Sequence, residues 1–314
     1  MGIEKIKELI KILKEKDNFL VATHINYDPD ALSSLIATGI ILKNLNKNFS
    51  LYLDEELKEE YSWVPLKEKI IKEINGDYEN FILVDCESYR RISEKIQKVF
   101  NDKFKIFIDH HQTNKLEGDF NLVADAISTT EIIFYLAKEL EIQSAELTTL
   151  LLLGIMGDSS NLTVELSQEK LIKIFEIVTD LIKLGGDLNL VNQTLLFKPF
   201  AEFKRLAEIS TKVNQEDGIF WVVIEGREVQ SGALANNLNK IREAKVIIVI
   251  EDFENYLRIH FRSKGNIDVA ELAQRYFNGG GHKNASGGRL EMNLEEGVAY
   301  ILKIVKDYLK ENAF

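Results

Sequence analysis

Three apolar runs early in the chain each end on a residue of a metal-ligating type, and no other feature constrains the fold as much. Phe19-Leu-Val-Ala-Thr23 runs into His24, Phe81-Ile-Leu-Val84 into Asp85, and Phe104-Lys-Ile-Phe-Ile108 into Asp109-His110-His111. Short apolar runs of this kind read as buried strands, so each polar residue stands at a C-terminal strand end. In open α/β sheets that edge is where ligands bind. Asp28 and Asp30 follow His24 closely, and Asp158 comes later in the chain.

If these groups converge, several carboxylates must share one partly desolvated space, and their repulsion would force some to protonate. Two divalent cations remove that conflict, and could polarise a phosphoryl oxygen and acidify a water held between them. Imidazole and carboxylate ligands without thiolate favour Mn²⁺, with Mg²⁺ as the alternative and structural zinc disfavoured. Taken singly, the elements are weak. Asp28-Pro-Asp30 alone is more often a turn than a metal site, and Asp158 alone reads as a helix N-cap. Their combination is what points to a two-metal centre.

The 314 residues, 45% of them hydrophobic, suffice for two domains. The longest apolar stretch, Leu147 to Met156, is about half a membrane span, and the charged amphipathic N-terminus lacks a signal-peptide core, so a cytoplasmic protein with no membrane contact is expected. A single cysteine, Cys86, excludes an internal disulfide framework. It lacks a motif-paired general base and reads as a small apolar residue rather than a nucleophile. A net charge of −11 argues against long duplex nucleic acid. Between Arg258 and Arg289, however, six basic residues face two acidic ones, a local +4 suited to a small anionic ligand.

Strands alternating with helices predict a parallel sheet. An amphipathic helix over Ile3–Leu13 precedes the first strand, and a helix over Ala31–Leu45 and a strand over Phe49–Leu53 follow it. Helical patterns then cover 132–140, 147–156 and 171–184, the last apolar enough to be expected buried, before Gly185-Gly186 breaks the pattern. The expected layout is a first domain over 1–186, a linker region with a connecting helix over 187–214, and a smaller α/β domain over 215–314. The active site is expected in the cleft between them. In the second domain, strands are expected over 220–224, 245–250 and 256–261, helices over 231–241, 269–277 and 294–309, and a phosphate-cradling loop at Gly279-Gly-Gly281.

The ordered set His24-x-x-x-Asp28-x-Asp30, Asp85, Asp109-His110-His111 and Asp158 resembles the DHH phosphoesterase superfamily, and Gly279-Gly-Gly-His282-Lys-Asn-Ala-Ser-Gly287 resembles the signature of its DHHA1 subgroup. Phe261-Arg-Ser-Lys-Gly-Asn-Ile-Asp268 is similar to the subgroup as well. The resemblance implies that His24 and Asp28 hold one metal, that Asp30, His110 and Asp158 hold the other, and that Asp85 bridges them. It implies that His111 contacts the scissile phosphate and serves as the acid, while Asp109 orients an imidazole. Arg262, Gly280, Gly281, His282, Asn284 and Ser286 are the implied substrate contacts. Asp158-Ser-Ser-Asn161 departs from relatives that carry a glycine two residues past the aspartate, so no substrate role passes to Ser159 or Ser160.

In length and layout the chain is similar to stand-alone family members that degrade very short oligoribonucleotides and remove the 3′-phosphate from adenosine 3′,5′-bisphosphate. Phosphodiesterases of cyclic dinucleotides or their linear products share this layout, and a catalytically silent nucleotide-binding protein is the rival of another class. The expected partners are short oligonucleotides or small nucleotides, and a homodimer is compatible with the layout.

Overall fold

The computed structural model describes residues 3–100, 102–111, 114, 116–164, 166–226 and 229–312, which fall into two compact units divided between Phe197 and Lys198. In the first unit the strands are β1 (Phe19–Ala22), β2 (Phe49–Tyr52), β3 (Ile70–Ile71), β4 (Asn80–Val84), β5 (Phe104–Asp109) and β6 (Phe120–Val123). The helices are α1 (Ile3–Glu15), α2 (Pro29–Asn44), α3 (Glu94–Gln97), α4 (Thr129–Glu139), α5 (Ala145–Asp158), α6 (Gln168–Lys183) and α7 (Leu188–Leu196). All strand pairings are parallel, in the order β3-β2-β1-β4-β5-β6.

This order explains the near-continuous apolar strands, because both sheet faces are covered. Phe19, Val21, Ile82, Val84, Ile106 and Ile108 point into the core shared with α1, α2, α4 and α5. Leu20, Ala22, Phe81, Leu83 and Phe107 alternate onto the opposite face, under Ile92, Ile96 and Phe100. β1 runs on to β2 on one side and has β4 as its other neighbour, so the winding reverses between β1 and β4. His24 and Asp85 follow those two strands, at the switch point where such sheets leave a crevice.

α5 is the central helix, buried all round from Leu147 to Met156; no helix among the described residues is long and apolar enough to cross a membrane. The expected burial of 171–184 is corrected. α6 buries only Ile174, Ile177, Val178 and Leu181, and leaves Ile172 61% and Phe175 56% exposed. It forms an outer layer and uses one stripe, as an amphipathic surface helix does. The stretch expected as a linker contributes α7 to the first unit, where α7 packs on α5, and α8 (Phe200–Ser210) to the second.

The second unit holds β7 (Asn214–Glu216), β8 (Ile219–Glu225), β9 (Val246–Asp252), β10 (Leu257–Ser263), β11 (Gly280–His282) and β12 (Ala285–Leu290), with α9 (Ser231–Leu238), α10 (Val269–Tyr276) and α11 (Leu294–Glu311). Its sheet runs β11-β12-β10-β9-β8-β7, parallel only between β8 and β9. Residues of α10 and α11 cover one face, and residues of α8 and α9 cover the other. The chain is thus an α/β protein with a six-stranded parallel sheet and a second, smaller α/β unit. The expected glycine loop is corrected to a hairpin strand: Gly280, Gly281 and His282 pair with Gly287, Ser286 and Ala285.

Candidate metal centre

Each strand end delivers its polar residue by a different local device. After β1, Asn26 adopts a left-handed conformation (φ 54°) that asparagine tolerates, and the chain doubles back into α2. Asp28 caps that helix, its Oδ1 accepting from the Ala31 amide at 3.0 Å, which leaves Oδ2 3.5 Å from His24 Nε2. After β4, Asp85 itself is left-handed (φ 53°), with its amide bound to the Ile108 carbonyl at 3.0 Å. For a non-glycine residue that conformation costs about 1–3 kcal/mol and persists where its surroundings over-determine it. Asp158 is the last residue of α5, not an N-cap. A carboxylate there meets the unfavourable end of the helix dipole, and His110 Nε2, 3.1 Å from its Oδ2, offsets this.

The residues gather into groups whose ligand atoms lie within 4.8 Å of one another: His24, Asp28 and Asp85; Asp30, His110 and Asp158; and Asp85, Asp109, His110 and His111. The first two match the division that the family resemblance implies. Asp85 faces both, with Oδ2 3.6 Å from His24 Nε2 and Oδ1 3.5 Å from His110 Nε2. His24 Nδ1 meets the Ile25 carbonyl at 2.9 Å, and His110 Nδ1 meets that of Ala126 at 3.3 Å. With Nδ1 donating to a peptide oxygen, Nε2 of both rings faces inward, where loss of its proton would leave the lone pair that a ligating histidine offers. His111 differs, with Nδ1 2.7 Å from Asp109 Oδ1. Asp109 therefore holds the His111 ring.

The electrostatics are those of a site built for added positive charge. Burial and the Arg91 guanidinium push the His24 imidazole down, yet Asp28 and Asp85 outweigh them and lift it to about 9. Burial likewise opposes, and the Asp158 and Asp85 carboxylates drive, a raised His110. Asp30 is raised well above the ordinary carboxylate range by burial and by Asp85 and Asp158. Asp85 is lowered despite its burial, held there by His24, His110 and His111. Without a cation, protons on the imidazoles offset the carboxylates.

His24 Nε2 has no hydrogen-bond partner among the described residues, and its two nearest carboxylate oxygens lie beyond hydrogen-bond reach. A buried, inward-facing imidazole nitrogen among carboxylates fits a divalent cation, and the donor set suits Mn²⁺ or Mg²⁺.

Several contributing residues gave no sequence signal. Asn114 donates to Asp109 Oδ2 at 2.5 Å and to the Cys86 carbonyl at 3.1 Å. Arg91, paired with Glu87 at 3.0 Å, is close enough to Asp28 and Asp85 for their charges to raise it. Thr129 and Thr130 bind Asp85 and Asp30. Cys86 is buried and its thiol is pushed up to about 12 by that burial, which suits the apolar role expected of it.

In the second unit, Arg262 donates through Nε to Asn236 Oδ1 at 2.6 Å, and burial lowers the guanidinium to about 10. Ser286 Oγ bonds the Val269 carbonyl at 2.5 Å, and Asn284 Nδ2 bonds Ser263 Oγ at 3.0 Å, so both side chains are engaged in holding the fold. Gly279 and Gly281 are demanded by close packing on β12, where a Cβ would meet the Gly287 carbonyl oxygen at 1.9 Å and that of Ala285 at 2.6 Å; a Cβ on Gly280 would meet nothing within 4 Å. His282 is exposed on β11. The local +4 is partly spent, since Arg275 and Arg289 pair with Glu311 and Glu291, outside the counted stretch.

Both units resemble known protein families. The description "DHH family, N-terminal domain" matches residues 18–155, and "DHHA1 domain" matches residues 219–311. The chain is 23% identical over 315 residues to the bifunctional oligoribonuclease and PAP phosphatase NrnA of Thermus thermophilus, covering 98% of this chain and 95% of that one. Among solved structures, an exopolyphosphatase-related protein from Bacteroides fragilis superposes with a TM-score of 0.85 at 19% identity, over 98% of this chain and 97% of that one. RecJ of Thermus thermophilus, solved with Mn²⁺, superposes with a TM-score of 0.55 at 15% identity, over 98% of this chain and 55% of that one. With the two domain descriptions matched in order, one in each structural unit, the chain belongs to the DHH family of phosphoesterases and carries a DHHA1 domain as its second unit.

Proposed function

We propose that this chain is a two-metal hydrolase that degrades very short oligoribonucleotides to mononucleotides and removes the 3′-phosphate from adenosine 3′,5′-bisphosphate. The observation that carries the reading is the division of Asp85 between two histidine–carboxylate groups, with His111 beside them on its own carboxylate. The full-length similarity to a protein named for both activities supports the choice of substrate.

His24, Asp28 and Asp85 would hold one cation, and Asp30, His110 and Asp158 the other, with Asp85 shared. Two Mn²⁺ ions there would supply Lewis acidity toward a phosphoryl oxygen and toward water. His111 performs the proton transfer. Asp109 accepts the Nδ1–H of the His111 imidazolium, whose other proton, on Nε2, passes to the leaving oxygen as the phosphorus–oxygen bond breaks; the water oxygen bonds to phosphorus, and the proton that water gives up restores the imidazolium. Arg91 adds a half-buried positive charge near Asp28 and Asp85, suited to steadying a phosphate oxygen. In the second unit, Arg262, His282 and the backbone at Gly280 and Gly281 would bind a distal phosphate, with Asn284 and Ser286 shaping that hairpin. The net charge of −11 disfavours a grip on long nucleic acid, which supports a short substrate.

The test is a rate comparison with Mn²⁺ on dinucleotide and trinucleotide RNA, the matching DNA, adenosine 3′,5′-bisphosphate, and cyclic and linear dinucleotides. Release of mononucleotides from short RNA, abolished by Asp85→Ala or His110→Ala in a folded protein, is expected. A faster rate on cyclic dinucleotides would reassign the substrate, and undiminished activity in those variants would sink the metal mechanism.

A further inference from the structure

The first turn of α4 touches two ligand carboxylates that come from different parts of the chain. Asp30, in the first turn of α2, accepts from the Thr130 amide at 3.0 Å and the Thr130 hydroxyl at 2.7 Å through Oδ1, and from the Thr129 amide at 2.6 Å through Oδ2. Asp85, after β4, accepts from the Thr129 hydroxyl at 3.0 Å through Oδ1. Asp30, Thr129 and Thr130 are fully buried, so water cannot replace these bonds.

Counting acceptor sites gives this arrangement its chemical meaning. An ionised carboxylate offers about four lone-pair directions, two on each oxygen. Three of the four on Asp30 are taken, and the one left is on Oδ2. Asp30 can therefore meet a cation through one oxygen only. On Asp85 the hydroxyl of Thr129 fixes the rotation of the carboxylate: Oδ1 stays toward His110, 3.5 Å away, and Oδ2 toward His24, 3.6 Å away. Free rotation would let both oxygens turn to one group.

The turn that makes these bonds is itself over-determined. Ser128 caps α4 through the Glu131 amide at 3.2 Å, and Glu131 Oε2 reaches back to the amide of Ile127, the residue before the cap, at 2.9 Å. Gly154 of α5 makes room for it, because a Cβ there would stand 2.4 Å from Thr130 Oγ1 and 2.6 Å from Asp30 Oδ1.

We propose that Thr129 and Thr130 are positioning residues that set the coordination mode of the centre, Thr130 holding Asp30 to one oxygen and Thr129 holding Asp85 astride the two groups. The inference rests on the metal reading of the site. Thr129→Val keeps the shape of the side chain and removes only the hydroxyl, and Thr129→Ser restores it.

The experiment is Mn²⁺ titration of the full chain, with free Mn²⁺ counted by electron paramagnetic resonance, alongside kcat and KM at saturating Mn²⁺. The wild type is expected to bind two ions. Thr129→Val should bind the weaker ion about 10–100-fold less tightly, with kcat reduced and KM little changed, and Thr129→Ser should recover most of the loss. Two ions bound by Thr129→Val with wild-type affinity, or a Thr129→Ser variant as impaired as the valine, would overturn the inference while leaving the metal reading standing. A wild type that binds no Mn²⁺ would overturn both. Should Thr129→Val fail to fold by circular dichroism, Thr130→Val removes one of the two donors to Asp30 Oδ1 and is expected to weaken binding in the same direction; unchanged binding would count against the proposal.

Discussion

His111 Nδ1 stands 2.7 Å from Asp109 Oδ1, whereas His24 and His110 present Nδ1 to backbone carbonyls. The side-chain carboxylate is thus given to the imidazole proposed for proton transfer, and the two proposed for ligation make do with peptide oxygens. Asp109 also accepts from the His110 amide at 2.9 Å and from Asn114. Asp109→Asn preserves the volume but offers an amide where a carboxylate held His111. We expect kcat to fall by about 10²–10⁴-fold, with Mn²⁺ affinity within a few-fold of wild type. Loss of metal binding in Asp109→Asn would show that the residue serves the ligands instead.

Metal uptake should release protons. His24, lifted to about 9 from an ordinary 6.5, carries a proton at neutral pH in the metal-free protein, and ligation through Nε2 requires that proton to leave. A weakly buffered solution with an indicator dye should acidify on Mn²⁺ addition at pH 7.5, and much less above pH 9. The sign for stability follows from the raised value. The contribution of this imidazole to the metal-free fold is complete below about 6.5 and is lost as pH rises through about 9. Thermal melts of metal-free protein should therefore decline across that window, and those of His24→Asn should lose this component.

Gly154→Ala tests the packing beneath the centre. In a helix interior this substitution ordinarily stabilises by about 1 kcal/mol. Here the added methyl collides with Thr130 Oγ1 and Asp30 Oδ1, so destabilisation of about 1–3 kcal/mol is expected by urea unfolding, with weaker Mn²⁺ binding. A stabilised variant would mean that α5 can move away from α2 without cost.

Substrate binding by the second unit is expected to respond to His282, an exposed residue of β11. His282→Ala should raise KM for short RNA by about 10-fold or more and lower kcat less, since a bond made equally in the ground and transition states affects binding alone. An effect confined to kcat would move His282 into the reacting group.

The first domain was legible because buried parallel strands announce themselves as unbroken apolar runs, so the polar residue that ends each one stands out. Phe19–Thr23, Phe81–Val84 and Phe104–Ile108 each gave the strand, its direction and the residue at its end. β6, β11 and β12 passed unseen. β6 alternates half-buried positions over four residues, and the glycine-rich hairpin has little side-chain pattern to read. The apolar density of α6 was misleading for a related reason. Composition records how many hydrophobic residues a helix has, but the layer it occupies decides how many are covered.

Within the candidate site, the sequence by itself determined the ligand types and their order: the imidazoles and carboxylates of His24, Asp28, Asp30, Asp85, Asp109, His110, His111 and Asp158 are fixed by residue identity and by strand ends. Only the tertiary structure decided how each one faces. The placement of Thr129 against Asp85, of Asn114 against Asp109 and of Gly154 against Asp30 joins residues up to 124 positions apart. Threonine, asparagine and glycine have no spacing rule of their own, because the partners they orient are brought to them by the crossing of α2, α4 and α5 over the sheet.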